Sequence, residues 1–243
     1  MEDVLALFDI DGTLVDTAGA GRDAIEIALV EIYGTAGPID ELSFAGLTDP
    51  YIARTLMQHA GLEDPEIELR FDALWDCYET NLSAILAERA HRARVHAGVL
   101  ALLDALAVAG VAIGLVTGNI ERGAQHKLAA CGIADRFTFG SFGSDAENRD
   151  ELPPIAIDRA QAKTGRDFHK RRTWIIGDTP RDIRCARAAG IRALAVGTGS
   201  FTAPQLRNAG ADHALDTLAD TIAVMRVLGD ESRMDARGAR FAP

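Results

Sequence analysis

The stretch Val4-Leu5-Ala6-Leu7-Phe8-Asp9-Ile10-Asp11-Gly12-Thr13-Leu14 decides how this chain is read. An apolar run, long enough for a strand buried on both faces, stops at two carboxylates, a glycine and a hydroxyl. In open α/β sheets, ligands bind just beyond the carboxyl ends of the strands, which is where Asp9 and Asp11 fall if the sheet is parallel. Two anions this close repel, and a cation would neutralise them. The same residues also suit an ordinary Asp-Gly turn, so the rest of the chain has to choose.

Working outward, two further apolar runs end in the same manner. Val111 to Val116 runs into Thr117-Gly118-Asn119, and Thr173 to Ile176 into Gly177-Asp178-Thr179-Pro180, with Asp182 close behind. Weaker strand patterns lie at Phe137 to Phe139, Ala193 to Val196 and Asp212 to Leu215. Helical patterns alternate with them: Val99 to Ala109, Arg122 to Cys131, Pro153 to about Lys163, Arg181 to Ala189 and Leu218 to Leu228. This alternation predicts an α/β fold with a doubly wound, Rossmann-like parallel sheet. Between the first strand and the rest, the periodic segments Ala24 to Tyr33, Ile52 to Ala60 and Leu69 to Arg89 are all helical. The expected organisation is therefore a core of residues 1–15 and 95–228, an inserted all-helical cap of residues 16–94, and a polar C-terminal tail of residues 229–243.

The 243 residues carry 36 acidic and 25 basic side chains, a formal net charge of −11. That field disfavours nucleic acid and anionic membrane as partners. Cys77, Cys131 and Cys185 are widely spaced, which argues against a disulfide framework and suits a reducing compartment. Met1-Glu2-Asp3 is acidic where a signal peptide would be basic, and no apolar run approaches a membrane span. A cytoplasmic protein is expected; its oligomeric state stays open.

In a parallel sheet the three polar strand ends converge on one edge. Asp9, Asp11, Asp178 and Asp182 would make a hard, oxygen-rich site suited to Mg²⁺ rather than zinc.

Asp9-Ile10-Asp11-Gly12-Thr13-Leu14-Val15-Asp16, Leu115-Val116-Thr117-Gly118-Asn119 and Ile176-Gly177-Asp178-Thr179-Pro180-Arg181-Asp182 together resemble the haloacid dehalogenase (HAD) superfamily. The resemblance is to its helical-cap branch, with the phosphoglycolate phosphatase and β-phosphoglucomutase groups. It implies that Asp9 is the nucleophile, forming an aspartyl-phosphate. It implies that Asp11 protonates the leaving oxygen and then activates water. Mg²⁺ would be held by Asp9, the Asp11 carbonyl and Asp178, with Asp182 acting through water or from behind. Thr117 and the Gly118 and Asn119 amides would hydrogen-bond the phosphoryl group, with Gly12 and Thr13 beside them. The loop holding Gly46, Leu47 and Thr48 lies where this branch keeps its specificity loop, although Thr48 or Asp49 there could equally cap a helix.

One motif departs from the pattern. The family places a lysine just before the helix that precedes the last motif, and Lys127, Lys163 and Lys170 are all elsewhere. Arg149 is the cation available in that loop, and a guanidinium can bridge nucleophile and phosphate with its own geometry. Other chemistries of the superfamily fit less well. Dehalogenases lack the second aspartate that Asp11 supplies, and phosphonate cleavage needs a cap lysine where residues 16–94 have none. The expected function is Mg-dependent hydrolysis of a small phosphorylated metabolite, phosphoglycolate-like in size. A phosphosugar mutase and a catalytically silent binding module are the alternatives.

Overall fold

The computed structural model describes residues 1–230. Its strands are β1 (Leu5–Phe8), β2 (Val15–Asp16), β3 (Arg94–Val95), β4 (Ala112–Val116), β5 (Gly140–Ser141), β6 (Thr173–Gly177), β7 (Arg192–Val196) and β8 (His213–Leu215). Six of them form one sheet in the order β5-β4-β1-β6-β7-β8, and every pairing in it is parallel. β1 lies near the centre, with Leu5 in register with Ala112 on one side and Thr173 on the other. All four of its residues are buried.

The two-residue period of β1 divides the core. Ala6 and Phe8 enter one apolar layer, with α5 (Val99–Val108), α6 (Glu121–Ala130) and α10 (Thr221–Gly229). Leu5 and Leu7 enter the other, with α7 (Leu152–Thr164), α8 (Pro180–Ala189) and α9 (Ala203–Asn208). The chain crosses from β1 to β4 on one side and reaches β6 on the other. A topological switch point therefore opens at the carboxyl end of β1, where such sheets bind ligands.

Between β2 and β3 stand four helices: α1 (Ala20–Tyr33), α2 (Asp49–His59), α3 (Asp64–Leu69) and α4 (Phe71–Glu88). They bury a cluster of their own, including Ile25, Leu29, Ile52, Leu56, Leu74, Tyr78 and Leu82. β2 and β3 pair antiparallel where the chain enters and leaves this block, and Arg94 Nη2 meets Asp16 Oδ2 at 2.5 Å across them.

Some elements differ from the expectation, each for a local reason. α2 begins at Asp49 because Thr48 caps it, its hydroxyl accepting from Tyr51 N. Pro65, in the gap between the expected helices Ile52 to Ala60 and Leu69 to Arg89, stands in the first turn of α3, where its missing N–H costs nothing. Arg70 then separates α3 from α4 with φ −106° and ψ 2°. β5 lies at Gly140–Ser141 rather than Phe137 to Phe139, and Phe139 packs against the Cβ-less face of Gly114. The expected tail lies outside the described residues beyond Asp230, and Gly229 ends α10. No helix among the described residues is long and apolar enough to cross a membrane.

Candidate active site

Asp9 is the first residue past β1, and its amide still donates to Ile176 O at 2.9 Å. The chain then folds back on itself, with the amides of Thr13, Leu14 and Val15 all donating to Ile10 O. Gly12 makes this turn possible with φ +77°, and a Cβ there would lie 2.5 Å from Asp178 Oδ2. Thr13, expected at the phosphate, is fully buried and donates its hydroxyl to Asp178 Oδ1 at 3.0 Å. It orients a carboxylate.

At the start of α8, Thr179 and Asp182 form a capping box. Asp182 Oδ2 accepts from Thr179 N at 2.9 Å and Oγ1 at 2.7 Å, while its Oδ1 accepts from Arg149 Nη2. The same Arg149 nitrogen lies 3.2 Å from Asp9 Oδ1. Arg149 projects from a short turn ahead of α7, and its side chain is buried. Asp182, expected to act on the metal through water or from behind, has Oδ2 engaged by the helix start and Oδ1 by the guanidinium, and stays within the acidic cluster.

Oxygens of Asp9, Asp178 and Asp182 lie within 4.8 Å of one another, all three residues buried. Burial, together with the charges of Asp182 and Asp11, raises the Asp9 carboxyl to about 6, with Arg149 pulling the other way. Burial and then Asp182 and Asp9 raise Asp178 to about 8. Although burial opposes its charge, Asp182 and Asp9 hold the Arg149 guanidinium firmly protonated. Arg149 leaves part of this buried negative charge uncompensated, and the donors are hard oxygens. A divalent cation such as Mg²⁺ fits that donor set.

Asp11 lies across the turn from Asp9, half-exposed. Lys127 Nζ donates to its Oδ1 at 2.9 Å and Oδ2 at 2.7 Å, and Asn119 Nδ2 donates to Oδ2 at 2.8 Å. Asn119 also ties Thr117 in, donating to its Oγ1 at 2.8 Å. Thr117 is fully buried at the end of β4.

A cavity of about 470 Å³ opens over these groups, lined by Asp9, Asp11, Gly118, Asn119, Arg149 and Asp178 among others. The helical block closes its far side with Phe44, Gly46, Leu47, Ile52 and Tyr78. The loop before α2 is docked on the sheet edge: Asp49 N donates to Gly118 O at 2.8 Å, and Ile120 N to Asp49 Oδ2 at 2.8 Å. Gly118 permits this approach, since a Cβ there would lie 2.0 Å from Leu47 O. Gly46 and Leu47 reach the cavity as expected. Thr48 does not line it: its hydroxyl donates to Glu147 O at 2.6 Å and caps α2.

Two members of the site escaped the sequence reading. By sequence, Lys127 stands out only for lying outside the family's lysine position. Its signal was there: it falls among Ile120, Gly123, Ala124 and Leu128 on the buried stripe of α6, where a lysine needs a partner. The Asn119 side chain, rather than its amide, is the second.

The comparisons with known proteins fit this geometry. The haloacid dehalogenase-like hydrolase family model matches residues 6–196, and the chain belongs to that family. Over 208 residues it is 27% identical to a phosphoglycolate phosphatase of Rhodospirillum rubrum, spanning 82% of this chain and 81% of the relative. It is 31% identical over 196 residues to an N-acetylmuramic acid 6-phosphate phosphatase of Pseudomonas aeruginosa, spanning 79% and 81% of the two chains. A solved structure of a hydrolase from Pseudomonas syringae shares the fold, with TM-score 0.68 and 18% identity over 93% of this chain and all of that one. The α/β core and the expectation of a HAD-type phosphatase are both met at that level.

Proposed function

We propose that this protein is a Mg²⁺-dependent phosphatase that cleaves the monoester of a small phosphorylated metabolite through an aspartyl-phosphate on Asp9. The observation that carries the reading is the contact of Arg149 with Asp9 beside Asp178, at the floor of a cavity closed by the helical block. An anionic nucleophile approaching an anionic phosphate needs positive charge held in place beforehand, and the Arg149 guanidinium supplies it. Asp9 and Asp178, with the Asp11 carbonyl, would hold the metal. When bound, Mg²⁺ offsets the repulsion between carboxylate and phosphate and the charge on the equatorial oxygens.

In the first step an Asp9 oxygen bonds to phosphorus and the bond to the leaving oxygen breaks. The leaving oxygen takes the electron pair and a proton from Asp11. In the second, Asp11 takes a proton from water as the water oxygen bonds to phosphorus, and Asp9 departs as a carboxylate. The block on residues 16–94 acts as a cap that excludes bulk water and limits substrate size. A cavity of about 470 Å³ closed by the helical block suits phosphoglycolate or a phosphosugar better than a phosphorylated side chain on a folded surface.

The test is release of inorganic phosphate across a panel of phosphometabolites with and without Mg²⁺, with Asp9→Asn as control. Turnover that is lost with Asp9→Asn and needs Mg²⁺ supports the reading. Activity that survives Asp9→Asn overturns it, and a phosphosugar isomer in place of free phosphate favours a mutase.

A further inference from the structure

Lys127 has no part in the family motifs, yet it is the most fully committed cation in the site. Its side chain is only 6% exposed, while that of its partner Asp11 is 44% exposed. The ammonium has three protons, and three acceptors meet it: Asp11 Oδ1, Asp11 Oδ2 and Asn119 Oδ1, the last at 2.6 Å. Its stem runs through a slot left for it by small residues. A Cβ on Gly21 of α1 would lie 2.8 Å from Nζ and 3.1 Å from Cε. A Cβ on Gly123, one turn before Lys127 on α6, would lie 3.0 Å from the Tyr78 ring that stands beside the slot. With no proton to spare, Lys127 is not placed to bind a substrate anion of its own.

We propose that Lys127 is a positioning residue for Asp11, which together with Asn119 aims one carboxylate oxygen at the leaving group. The inference rests on the role of Asp11 given above. A carboxylate has about four lone-pair sites. On Asp11, Oδ2 accepts from both Lys127 and Asn119, and Oδ1 accepts from Lys127 alone among the described residues. The open site is therefore on Oδ1, and the planar group cannot turn without losing three hydrogen bonds. In the first step, Oδ1–H breaks as its proton passes to the leaving oxygen. In the second, Oδ1 regains a proton from water. The Lys127 ammonium keeps all three of its own throughout. Because Asn119 also holds Thr117, the aim of Asp11 and the position of the phosphoryl pocket are set by one connected group of side chains.

The test compares two substrates of similar shape, phenyl phosphate and p-nitrophenyl phosphate. Phenolate is the poorer leaving group and depends more on a well-placed acid, whereas p-nitrophenolate departs without much help. Loss of the Lys127 ammonium should cut kcat/KM, which reports the first step and not the shared hydrolysis of the intermediate, by about 30-fold or more for phenyl phosphate and about fivefold or less for p-nitrophenyl phosphate. Lys127→Met is the first variant; Lys127→Gln serves the same comparison should the methionine variant not fold. In an Asp11→Asn background the same change should cost less than about twofold on either substrate, since a residue acting through Asp11 has nothing left to act on. Equal losses in kcat/KM on both substrates, or full additivity with Asp11→Asn, would overturn the proposal in favour of a purely structural pair. If Asp11→Asn itself leaves phenyl phosphate turnover intact, the role of Asp11 fails first. If Asp11→Asn is impaired while both Lys127 variants are not, only the Lys127 inference fails.

Discussion

Two carboxylates lie two residues apart on one turn, and each has its own cation. Asp9 is buried and meets a guanidinium shared with Asp182; Asp11 is half-exposed and meets an ammonium from beneath α6. At Asp9 the environment works against the anion, and burial is the main reason. At Asp11 the surroundings mainly fix direction, through two donors on one oxygen and one on the other. The nucleophile therefore depends on what sits around it, and the proton carrier on where it points. A sequence of two aspartates separated by an isoleucine gives no hint of that division. It comes from the turn after β1, which sends one side chain toward Asp178 and the other toward Lys127, both at the cavity.

The comparison can be broken most severely at Asp9. Asp9→Asn should lower kcat by about 10⁴-fold or more, read by phosphate release, since no other residue takes over a covalent step. Arg149→Met comes next. It leaves Asp9 and Asp182 buried without their partner, and should cost about 3 kcal/mol in chemical denaturation as well as about 10²-fold or more in kcat. Lys127→Met should instead cost under about 1 kcal/mol, because Asp11 can recruit water; a loss as large as that at Arg149 would erase the distinction.

Asp178 tests the other side of the same charge balance. Its folded carboxyl is raised to about 8, above the ordinary 3.8, so the native state holds a proton that the unfolded chain releases. Stability from this group is full below about pH 4 and is lost as pH rises through about 8. Asp178→Asn should raise stability at pH 8 by roughly 1–3 kcal/mol and flatten that decline. Mg²⁺ should raise the Tm of the wild type and leave that of the variant unmoved. The smallest effect is expected at Thr48, where Thr48→Ala should cost about 1 kcal/mol of stability with kcat little changed; a large rise in KM would return it to the substrate.

The sheet and the acidic strand ends were legible because their signals are local. An apolar run that stops at Asp9, Thr117 or Asp178 says both strand and site. The helical block was legible by period, although its joints were not: Pro65 reads as a break or as a first turn with equal ease, and β2 and β3 are too short to show any period. Arg149 could be proposed from a charge requirement, and the structure brings its guanidinium to Asp9. Lys127 could not be found by motif because it lies 116 positions along the chain from Asp11. Thr13 is expected beside the phosphate and Thr48 either at the substrate or as a helix cap; each hydroxyl has a protein acceptor, a choice that depends on side-chain direction and not on residue type.

The central position of β1 has a consequence for how the protein is made. The nucleophile strand leaves the ribosome well ahead of its two neighbours, which begin at Ala112 and Thr173. An apolar segment must wait with both edges unpaired until β4 has emerged, and with one edge unpaired until β6 has, exposed to the wrong partners. When β6 arrives it fills the second edge of β1 and brings Asp178 behind it. The last strand to flank the nucleophile is thus the one that delivers its acidic partner, and a chain stalled before residue 173 has the strand but not the site.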